Sequence, residues 1–396
     1  MKNDHTSIHI LGGKHFIILK ALKNTDSSFF LHSIPQNFEG HVPIFLNVKG
    51  SFLSYEMLND QKNDVIKFTI PPIKKNCTLS IEIDYFVLSL EVQEKNFKED
   101  YGDFPHDMIN SSKSIQSSNL IMRLVSRILK GFCRDDFVFS KRVVKFVYLH
   151  AIPSNFLKKI LYSKSFLNKI FFKDSYFMNL EDALSSLLFG SLCAGEANLI
   201  AALLRSNKIP SRVLIVTPTR FGKDFWIDSQ HYIIESYYKN VGWLRSEPWT
   251  FPLANMHSIV LRKVPYKDEQ IAGNGLSKYG GTATWFWFEN KNIVFGKPEK
   301  YMQYNLPDSK KTGVPALVGW KEGKISLKKQ SAENLIKASQ ELWELYKREL
   351  GSFKKAKKSS IDEVIILQEK LIDLLKQDKY EEFYDVVGEI KEIISS

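Results

Sequence analysis

The chain has 396 residues, 44% of them hydrophobic, and it carries a formal net charge of +11 with three cysteines. A chain of this length is too long for one small domain and predicts two or three domains with ample apolar material for their cores. The cysteines are widely separated and form no Cys-x-x-Cys pair, which argues against a disulfide framework and against a thiolate zinc site.

The positive charge by itself indicates no partner. Lysine is spread along the chain among asparagine, isoleucine and phenylalanine, a mixture typical of AT-rich genomes, and no nucleic-acid recognition motif accompanies it. The amino terminus has no apolar signal core, and the uncharged stretch Ala183–Gly195 is too short to span a membrane. We therefore expect a cytoplasmic protein with no nucleic-acid partner and no membrane partner.

Residues 1–95 predict an amino-terminal β-sandwich-like domain. Four segments alternate apolar and polar residues or run apolar, and clusters rich in Asn, Asp, Lys and Gly separate them. These segments are His15–Leu22, Pro43–Val48, Val65–Ile70 and Leu79–Leu90. The following residues, 96–118, are polar with glycine, proline and several serines, and they predict a linker.

Helices are predicted at the start of the next domain, residues 119–265. In Leu120–Lys130 the leucines and isoleucines fall on one helical face and the three basic residues on the other. Asp135–His150 predicts a second helix that ends before Pro153. The Phe- and Lys-rich segment Lys158–Lys173 predicts either a packed helix or a lid over the site.

A cysteine begins the next predicted helix. After Gly190, the residues Ala197–Leu204 are almost all apolar and rich in Ala and Leu, and Pro210 ends the helix before a β-branched strand, Ser211–Val216. In the first turn, Cys193 would lie near unpaired backbone N–H groups and the positive end of the helix dipole, and both favour the thiolate. The alternative is a small buried hydrophobic side chain, which is the common state of a free cysteine.

A predicted hairpin supplies a base and an acid. Gln230–Tyr238 is rich in β-branched and aromatic residues and predicts one strand, and Gly242–Glu247 predicts its return strand. In a near-symmetric hairpin, His231 and Glu247 would face each other. A thiol, a base that reaches it and an acid that holds the base are the parts of a Cys-His-acid triad, with Cys193 as the thiol.

In order and spacing, these segments resemble the transglutaminase-like superfamily, which has a papain-like cysteine core. The family pattern runs Gly-x-x-Cys with an alanine four residues after the cysteine, then Leu-Leu-Arg, Ile-Pro-x-Arg-Val, His-x-x-x-Glu-x-Tyr, and Gly-Trp ending in Asp-Pro. The matching residues are Gly190, Cys193, Ala197, Leu203, Leu204, Arg205, Ile209, Pro210, Arg212, Val213, His231, Glu235, Tyr237, Gly242, Trp243, Glu247 and Pro248. The resemblance covers about Leu120 to Leu261 and does not extend to the flanking regions.

The chain departs from the family pattern at three places. The acid position holds Glu247 where Asp is more usual, so the carboxylate is on a stem longer by one methylene. Tyrosine and isoleucine follow His231 where the family often has Ala-Trp, and the loop Thr217–Ser229 has no family signature. Asp228 is an alternative acid for the site, and His257 is a rival base by position alone.

The resemblance implies an α+β fold with a papain/transglutaminase-like core, in which the helix carrying Cys193 packs on an antiparallel sheet. It also implies that Cys193 attacks an amide carbonyl of a peptide or protein substrate and forms a thioester, with His231 as base and then acid and Glu247 as its orienting group. We expect hydrolysis, as in a protease or amidase, rather than transfer to an amine, with no cofactor and no metal. The alternative is an inactive scaffold that keeps the fold as a protein-interaction module.

The carboxyl-terminal part is predicted in two segments. Residues 266–330 predict a β-rich extension of the core, whose aromatic runs Thr282–Phe288 and Asn292–Phe295 would pack in a core or line a peptide or sugar groove. Residues 331–396 predict a helical tail with apolar stripes, which would pack within the chain or pair two chains. The oligomeric state therefore stays open.

Overall fold

The computed structural model of the chain describes residues 5–38, 40–91, 108–131, 133–163, 182–189, 193–219, 231–238, 242–247, 250–253, 258–270, 286–296, 316–350, 352–353 and 358–395. This part of the chain is a mixed α+β structure with three antiparallel sheets and several helices, which confirms the predicted α+β class. Among its helices, none combines the length and the apolar character needed to cross a membrane.

The first sheet is built around strand β1 (His5–Ala21). Its other strands are β3 (His41–Gly50), β6 (Thr78–Leu90), β13 (Ile293–Phe295) and β14 (Ala316–Lys328). β6 pairs with one edge of β1 and separates it from β3, while β14 and β13 share the other edge. Strands from the two halves of the chain therefore form one sheet.

β1 starts at His5, earlier than its apolar pattern predicts. Its first half is buried on both faces, whereas its second half alternates between buried and half-buried residues. Two glycines allow the close packing: a Cβ on Gly12 would lie 2.2 Å from the Trp320 ring, and one on Gly13 would lie 2.1 Å from the Tyr85 ring. Because glycine is depleted from strands in general, this half of β1 carries no strand signal in the sequence.

The second sheet lies beside the first in the same amino-terminal region. Its strands are β2 (Ser28–Ser33), β4 (Ser54–Asp60), β5 (Asn63–Ile70), β12 (Phe286–Phe288) and β15 (Ser352–Phe353). Their order in the sheet is β12-β2-β5-β4-β15. β2 and β4 were not predicted, because each is short and mixes polar with apolar residues.

The third sheet and the helices before it form the region around Cys193. The helices are α1 (Leu120–Lys130), α2 (Asp136–Ser163), α3 (Ala183–Phe189), α4 (Cys193–Arg205) and the short α5 (Tyr266–Glu269). The strands are β7 (Ser211–Pro218), β8 (His231–Tyr238), β9 (Gly242–Glu247), β10 (Thr250–Leu253) and β11 (Ser258–Lys263). Their order is β10-β9-β8-β7-β11.

The predicted end of α2 is wrong. The helix continues through Pro153 to Ser163. A proline inside a helix removes one backbone hydrogen bond and crowds the preceding turn, and here the turns on both sides of it remain helical. The predicted linker, 96–118, and the predicted packed helix or lid, 158–173, lie partly outside the described residues.

Helix α4 is enclosed on all sides, since every residue after Cys193 is buried. It packs between α1, α2 and α3 on one side and β7 and β8 on the other. The apolar cluster that surrounds it includes Phe139, Val143, Leu203, Ile215 and Ile234. The helix that carries the cysteine thus packs on an antiparallel sheet.

Side chains of the amino-terminal region cover the edge of the third sheet. Gln36 Nε2 donates to the Leu261 carbonyl at 2.9 Å, and His41 Nε2 accepts from the Val260 N–H at 3.2 Å. Asn63 bonds both backbone groups of Lys263, at 2.9 and 2.7 Å. These contacts satisfy polar groups of edge strand β11 that would otherwise be open to another strand.

A chain of buried polar side chains crosses the three sheets. His32 Nε2 lies 2.8 Å from His15 Nδ1, His15 Nε2 lies 2.7 Å from Tyr85 Oη, and Tyr85 Oη lies 3.4 Å from Thr217 Oγ1. Burial lowers the pKa of His32 to about 3 and, together with His32, lowers the pKa of His15 well below its ordinary value. Both imidazoles are therefore neutral at neutral pH, and the chain joins the sheets without adding buried charge.

The carboxyl-terminal tail is helical, as predicted, and packs within the chain. Its helices are α6 (Lys329–Leu350), α7 (Lys358–Lys376) and α8 (Tyr380–Ser395). Their buried side chains, among them Leu335, Trp343, Leu371 and Ile390, share one apolar cluster with residues of the first and second sheets. The tail therefore covers the amino-terminal region.

Residues 266–330 were predicted as a β-rich extension of the core, but their strands belong to the first and second sheets. β12 pairs with β2, and β13 and β14 pair with β1. β14 also approaches the third sheet, where a Cβ on Gly319 would lie only 2.5 Å from the Pro218 carbonyl oxygen. Long-range strand pairing decides this arrangement, and it leaves no trace in local residue patterns. Residues 282–285 of the predicted aromatic run lie outside the described residues.

Trp343 tests the contribution of the tail to stability. Its side chain is 1% exposed and stacks on Tyr346 with ring centroids 5.6 Å apart. We expect Trp343→Ala to lower the free energy of unfolding by about 3–5 kcal/mol, because it leaves a cavity in the shared cluster. Lys337→Ala, an exposed position on α6, is the matched control and should change it by less than about 0.5 kcal/mol. Equal effects of the two variants in urea unfolding would contradict this account.

Candidate active site

Cys193 occupies the first position of α4, with a half-buried side chain. Backbone N–H groups in the first turn of a helix lack intrahelical partners, and the positive end of the helix dipole lies there. The other two cysteines have different surroundings. Cys77 is exposed, and the Cys133 thiol donates to the Leu129 carbonyl at 3.3 Å.

The far end of α4 is fixed by a buried ion pair. Arg205 donates from Nη1 and Nη2 to the two carboxylate oxygens of Glu269, at 2.8 and 2.9 Å, and from Nε and Nη2 to the Ser211 carbonyl, at 3.0 and 2.6 Å. The two charged side chains are 1% and 2% exposed. Removing one partner of such a pair typically costs about 3–5 kcal/mol. The pair therefore fixes how α4, and Cys193 with it, sits along the third sheet.

Strands β8 and β9 bring His231 and Glu247 together, though not as directly opposed residues. The register pairs Ile234 with Ser246. Continuing it places Glu247 opposite Ile233, two residues from His231 on the same face of the sheet. Diagonal neighbours of this kind lie about 7–8 Å apart, within reach of long side chains. The additional methylene of a glutamate helps to cover this distance.

His231 is hydrogen-bonded to Glu247, and Cys193 is close enough to act on its pKa. His231 Nε2 lies 3.0 Å from Glu247 Oε2, and the two side chains are 16% and 15% exposed. The Cys193 thiol is the second side chain that acts on the imidazole.

The two partners change the charge of His231. Burial acts to lower the pKa of this imidazole, but the interactions with Cys193 and Glu247 outweigh burial and raise the pKa to about 9. His231 is therefore protonated at neutral pH. In that state it can stabilise a thiolate and can give a proton to a leaving group.

A second charged cluster lies on the same face of the sheet. Arg212 Nε donates to Glu235 Oε2 at 2.7 Å, and Arg245 Nε lies 3.5 Å from Glu235 Oε1. The Arg212 guanidinium also lies 4.5 Å from the centroid of the Trp243 ring. These contacts link β7, β8 and β9 at Glu235, four residues after His231, and at Arg245, two residues before Glu247, and they hold the strands that carry both.

Two further residues position the site and were not predicted from the sequence. Arg245 stands two residues before Glu247 on β9, so strand alternation could have placed it on the same face. Glu269 lies on α5, far along the chain from Arg205, and no local pattern points to it. Of the alternatives raised from the sequence, Asp228 and His257 lie outside the described residues.

The part of the chain that the structure describes contains no group of three or more His, Cys, Asp or Glu side chains that could hold a metal ion. The site consists of an imidazole hydrogen-bonded to a carboxylate, with a thiol that also acts on the pKa of the imidazole. Such a set can supply a nucleophile, a general acid and base, and an orienting charge.

Comparisons with known proteins give fold-level likenesses only. No protein-family model and no curated protein matches the chain. It is similar to a crystal structure of a candidate cysteine protease from Cytophaga hutchinsonii, with 10% identity, a TM-score of 0.48, and coverage of 80% of this chain and 99% of that one. It is also similar to the periplasmic domain of TgpA from Pseudomonas aeruginosa bound to ethylmercury, with 10% identity, a TM-score of 0.23, and coverage of 61% and 89%. At these values the functional argument rests on the side chains.

Glu247→Gln tests how the carboxylate acts on His231. The change keeps the shape and removes the charge, so we expect the pKa of His231 to fall from about 9 towards its ordinary 6.5. An NMR pH titration of the imidazole in each protein measures this. Glu247→Asp, which keeps the charge, is the matched control and should retain more of the shift.

The same pKa has a consequence for stability. Because the pKa of His231 is raised on folding, the stability it contributes is fully present below about pH 6.5 and is lost as pH rises through about 9. Glu247→Gln should flatten the decline of stability over this interval. An unchanged imidazole titration in Glu247→Gln would show that the 3.0 Å contact does not control His231.

Proposed function

We propose that the protein is a cysteine-dependent enzyme of the transglutaminase-like superfamily, with a papain-like core preceded by a β-sandwich. It acts on amide bonds of peptides or proteins through a thioester on Cys193, and hydrolysis is its main reaction. One observation carries the proposal: His231 is hydrogen-bonded to Glu247, and the thiol at the start of the buried helix α4 acts on the same imidazole.

The first half-reaction forms the acyl-enzyme. The Cys193 sulfur attacks the amide carbonyl carbon, a C–S bond forms, and the carbonyl π electrons move onto oxygen. Backbone N–H groups at the start of a helix lack intrahelical partners, and those beside Cys193 would serve as donors for this oxyanion. The His231 imidazolium then gives its proton to the amide nitrogen, the C–N bond breaks, and the amine leaves with a thioester behind.

The second half-reaction resolves the thioester. The imidazole of His231 is now neutral and accepts a proton from an incoming water. The water oxygen attacks the thioester carbon, the C–S bond breaks, and the carboxylic acid product leaves together with a restored thiolate–imidazolium pair. Throughout, Glu247 keeps the ring oriented and stabilises its protonated form.

An amine could take the place of water in this step, and the protein would then be an acyltransferase. Both reactions use the same three side chains, so the acceptor is decided by which molecule reaches the thioester. We favour water. An inactive scaffold for protein interactions would form no acyl-enzyme at all, and this difference separates it from either enzyme.

Selective alkylation tests the nucleophile. Near neutral pH, iodoacetamide should modify Cys193 faster than Cys77 or Cys133, because alkylation follows thiolate content. Cys77 is the sharper comparison, since it is exposed and Cys193 is half-buried, so exposure alone predicts the opposite order. Peptide mass spectrometry over a time course gives the three rates. Cys77 reacting as fast as Cys193 would argue against an activated thiol.

Trapping the acyl-enzyme tests the function. We expect a peptide library to give acyl adducts on Cys193 in the intact protein, detectable by mass spectrometry after acid quench, and none in Cys193→Ser. Glu247→Gln should form them more slowly, by up to about 10⁴-fold. Adding a primary amine should yield little amide product if water is the preferred acceptor. A fully folded protein that forms no adduct and cleaves no peptide would leave the scaffold as the better account.

A further inference from the structure

A polar groove lies beside α1, at the end of α4 opposite Cys193. Its cavity volume is about 580 Å³, and it is lined by one face of α1, the segment before α1 and the residues that follow α4. The thiol is on the first residue of the 13-residue helix and Arg205, in the groove wall, is its last residue, about 18 Å away along the helix axis. The groove is therefore distinct from the candidate active site.

The groove is strongly basic. Five of its lining side chains are cationic and none is acidic: Arg123, Arg127, Lys130, Arg205 and Lys208. Two of these charges are compensated, since Lys130 pairs with Asp136 and Arg205 with Glu269. Within the described residues, the other three are exposed and form no ion pair with a carboxylate.

Some cations elsewhere in the molecule are paired, whereas these three lie together at one groove. Lys67 bonds Glu56 at 2.7 Å, and Lys347 bonds Asp64 at 3.0 Å. On α1, by contrast, Arg123 and Arg127 are four residues apart on one helical face. Their Cβ atoms are therefore separated by about 6 Å, and their guanidinium groups can reach one ligand together.

Small polar groups complete the wall. Ser118 Oγ donates to Ser111 Oγ at 2.9 Å, and Asn207 Nδ2 donates to Ser126 Oγ. Ser111, Ser118 and Asn207 line the groove with the cations. The Ser118 and Ser111 hydroxyl protons are donated within the protein, so the groups available to a ligand are the cations and the second N–H of the Asn207 amide. With no carboxylate among the lining residues, this set suits a ligand rich in anionic oxygens.

An apolar stripe lies next to the basic face. The sequence predicts that the leucines and isoleucines of α1 form one face; the structure packs Val125 and Leu129 of that face against the cluster around α4 and leaves its other edge exposed. Leu120, Leu124 and Ile128 are 80%, 56% and 65% exposed. A basic face beside an exposed apolar stripe is typical of helices that contact anionic lipid surfaces.

We propose that this groove is a phosphate-binding site, for a ligand that carries at least two adjacent phosphate groups or a phosphate-bearing headgroup. Arg123 and Arg127 bind the phosphate oxygens in bidentate fashion, and Lys208 supplies a third charge from the opposite wall. A soluble diphosphate and an anionic lipid headgroup share this chemistry. The site does not depend on the reaction at Cys193, so its test needs no activity assay.

Binding of two probes tests the site in the full-length protein. Inorganic pyrophosphate is titrated by calorimetry at low salt, and vesicles of phosphatidylglycerol in phosphatidylcholine are compared with phosphatidylcholine alone by sedimentation. We expect at least one probe to bind, and the double variant Arg123→Gln/Arg127→Gln to weaken that binding by at least about tenfold. Lys74→Gln/Lys75→Gln removes the same charge at an exposed site elsewhere and should retain full binding.

The pattern of results identifies the source of the phosphate. Pyrophosphate binding without vesicle binding indicates a soluble ligand. Vesicle binding that is also lost in Leu124→Ser/Ile128→Ser indicates a headgroup. Arg123→Lys/Arg127→Lys keeps both positive charges but lacks the planar guanidinium groups, and it should bind with intermediate strength. This variant shows whether weak binding by the glutamine variant comes from the lost contacts or from poor folding. The proposal is overturned if neither probe binds, or if the groove and control variants bind equally well.

Discussion

The complete burial of helix α4 is the constraint on which the candidate site depends. A helix enclosed on all sides can occupy only one position without leaving cavities or unpaired polar groups. Arg205 makes this position specific, because a buried guanidinium must meet Glu269 and the carbonyls of Ser211 and Asn110 at the same time. The first residue of the helix is positioned by the same contacts, and that residue is Cys193.

The partners of the thiol are held by a different set of interactions. His231 and Glu247 are carried by β8 and β9, whose sheet is bonded along its outer edge by side chains from the amino-terminal region. β14 can pack closely against β7 because Gly319 has no side chain. The buried contacts from His15 through Tyr85 to Thr217 also join the first sheet to the third. The amino-terminal region is therefore part of the support of the site.

The two ends of α4 have different electrostatic surroundings. At the start of the helix, an imidazole with a raised pKa is hydrogen-bonded to a carboxylate and acted on by a thiol in a half-buried setting, where such contacts are stronger than in water. At its end, three cations beside Arg205 face solvent without carboxylate partners among the described residues. The first arrangement suits proton transfer and covalent chemistry, and the second suits the binding of a highly charged anion.

The amino-acid sequence by itself determined the local elements and the candidate residues. The helix after Cys193, the hairpin that carries His231 and Glu247, and the helical tail all follow from apolar periodicity and turn chemistry within contiguous residues. The tertiary structure alone decided that β12, β13 and β14 pair with amino-terminal strands, that Glu269 neutralises Arg205, and that one edge of the apolar face of α1 is left exposed. Each of these three features depends on residues that are distant in the chain. Periodicity shows that a helix has two faces, and a strand always has two edges. The elements that pack against the helix or strand then decide which face or edge is covered.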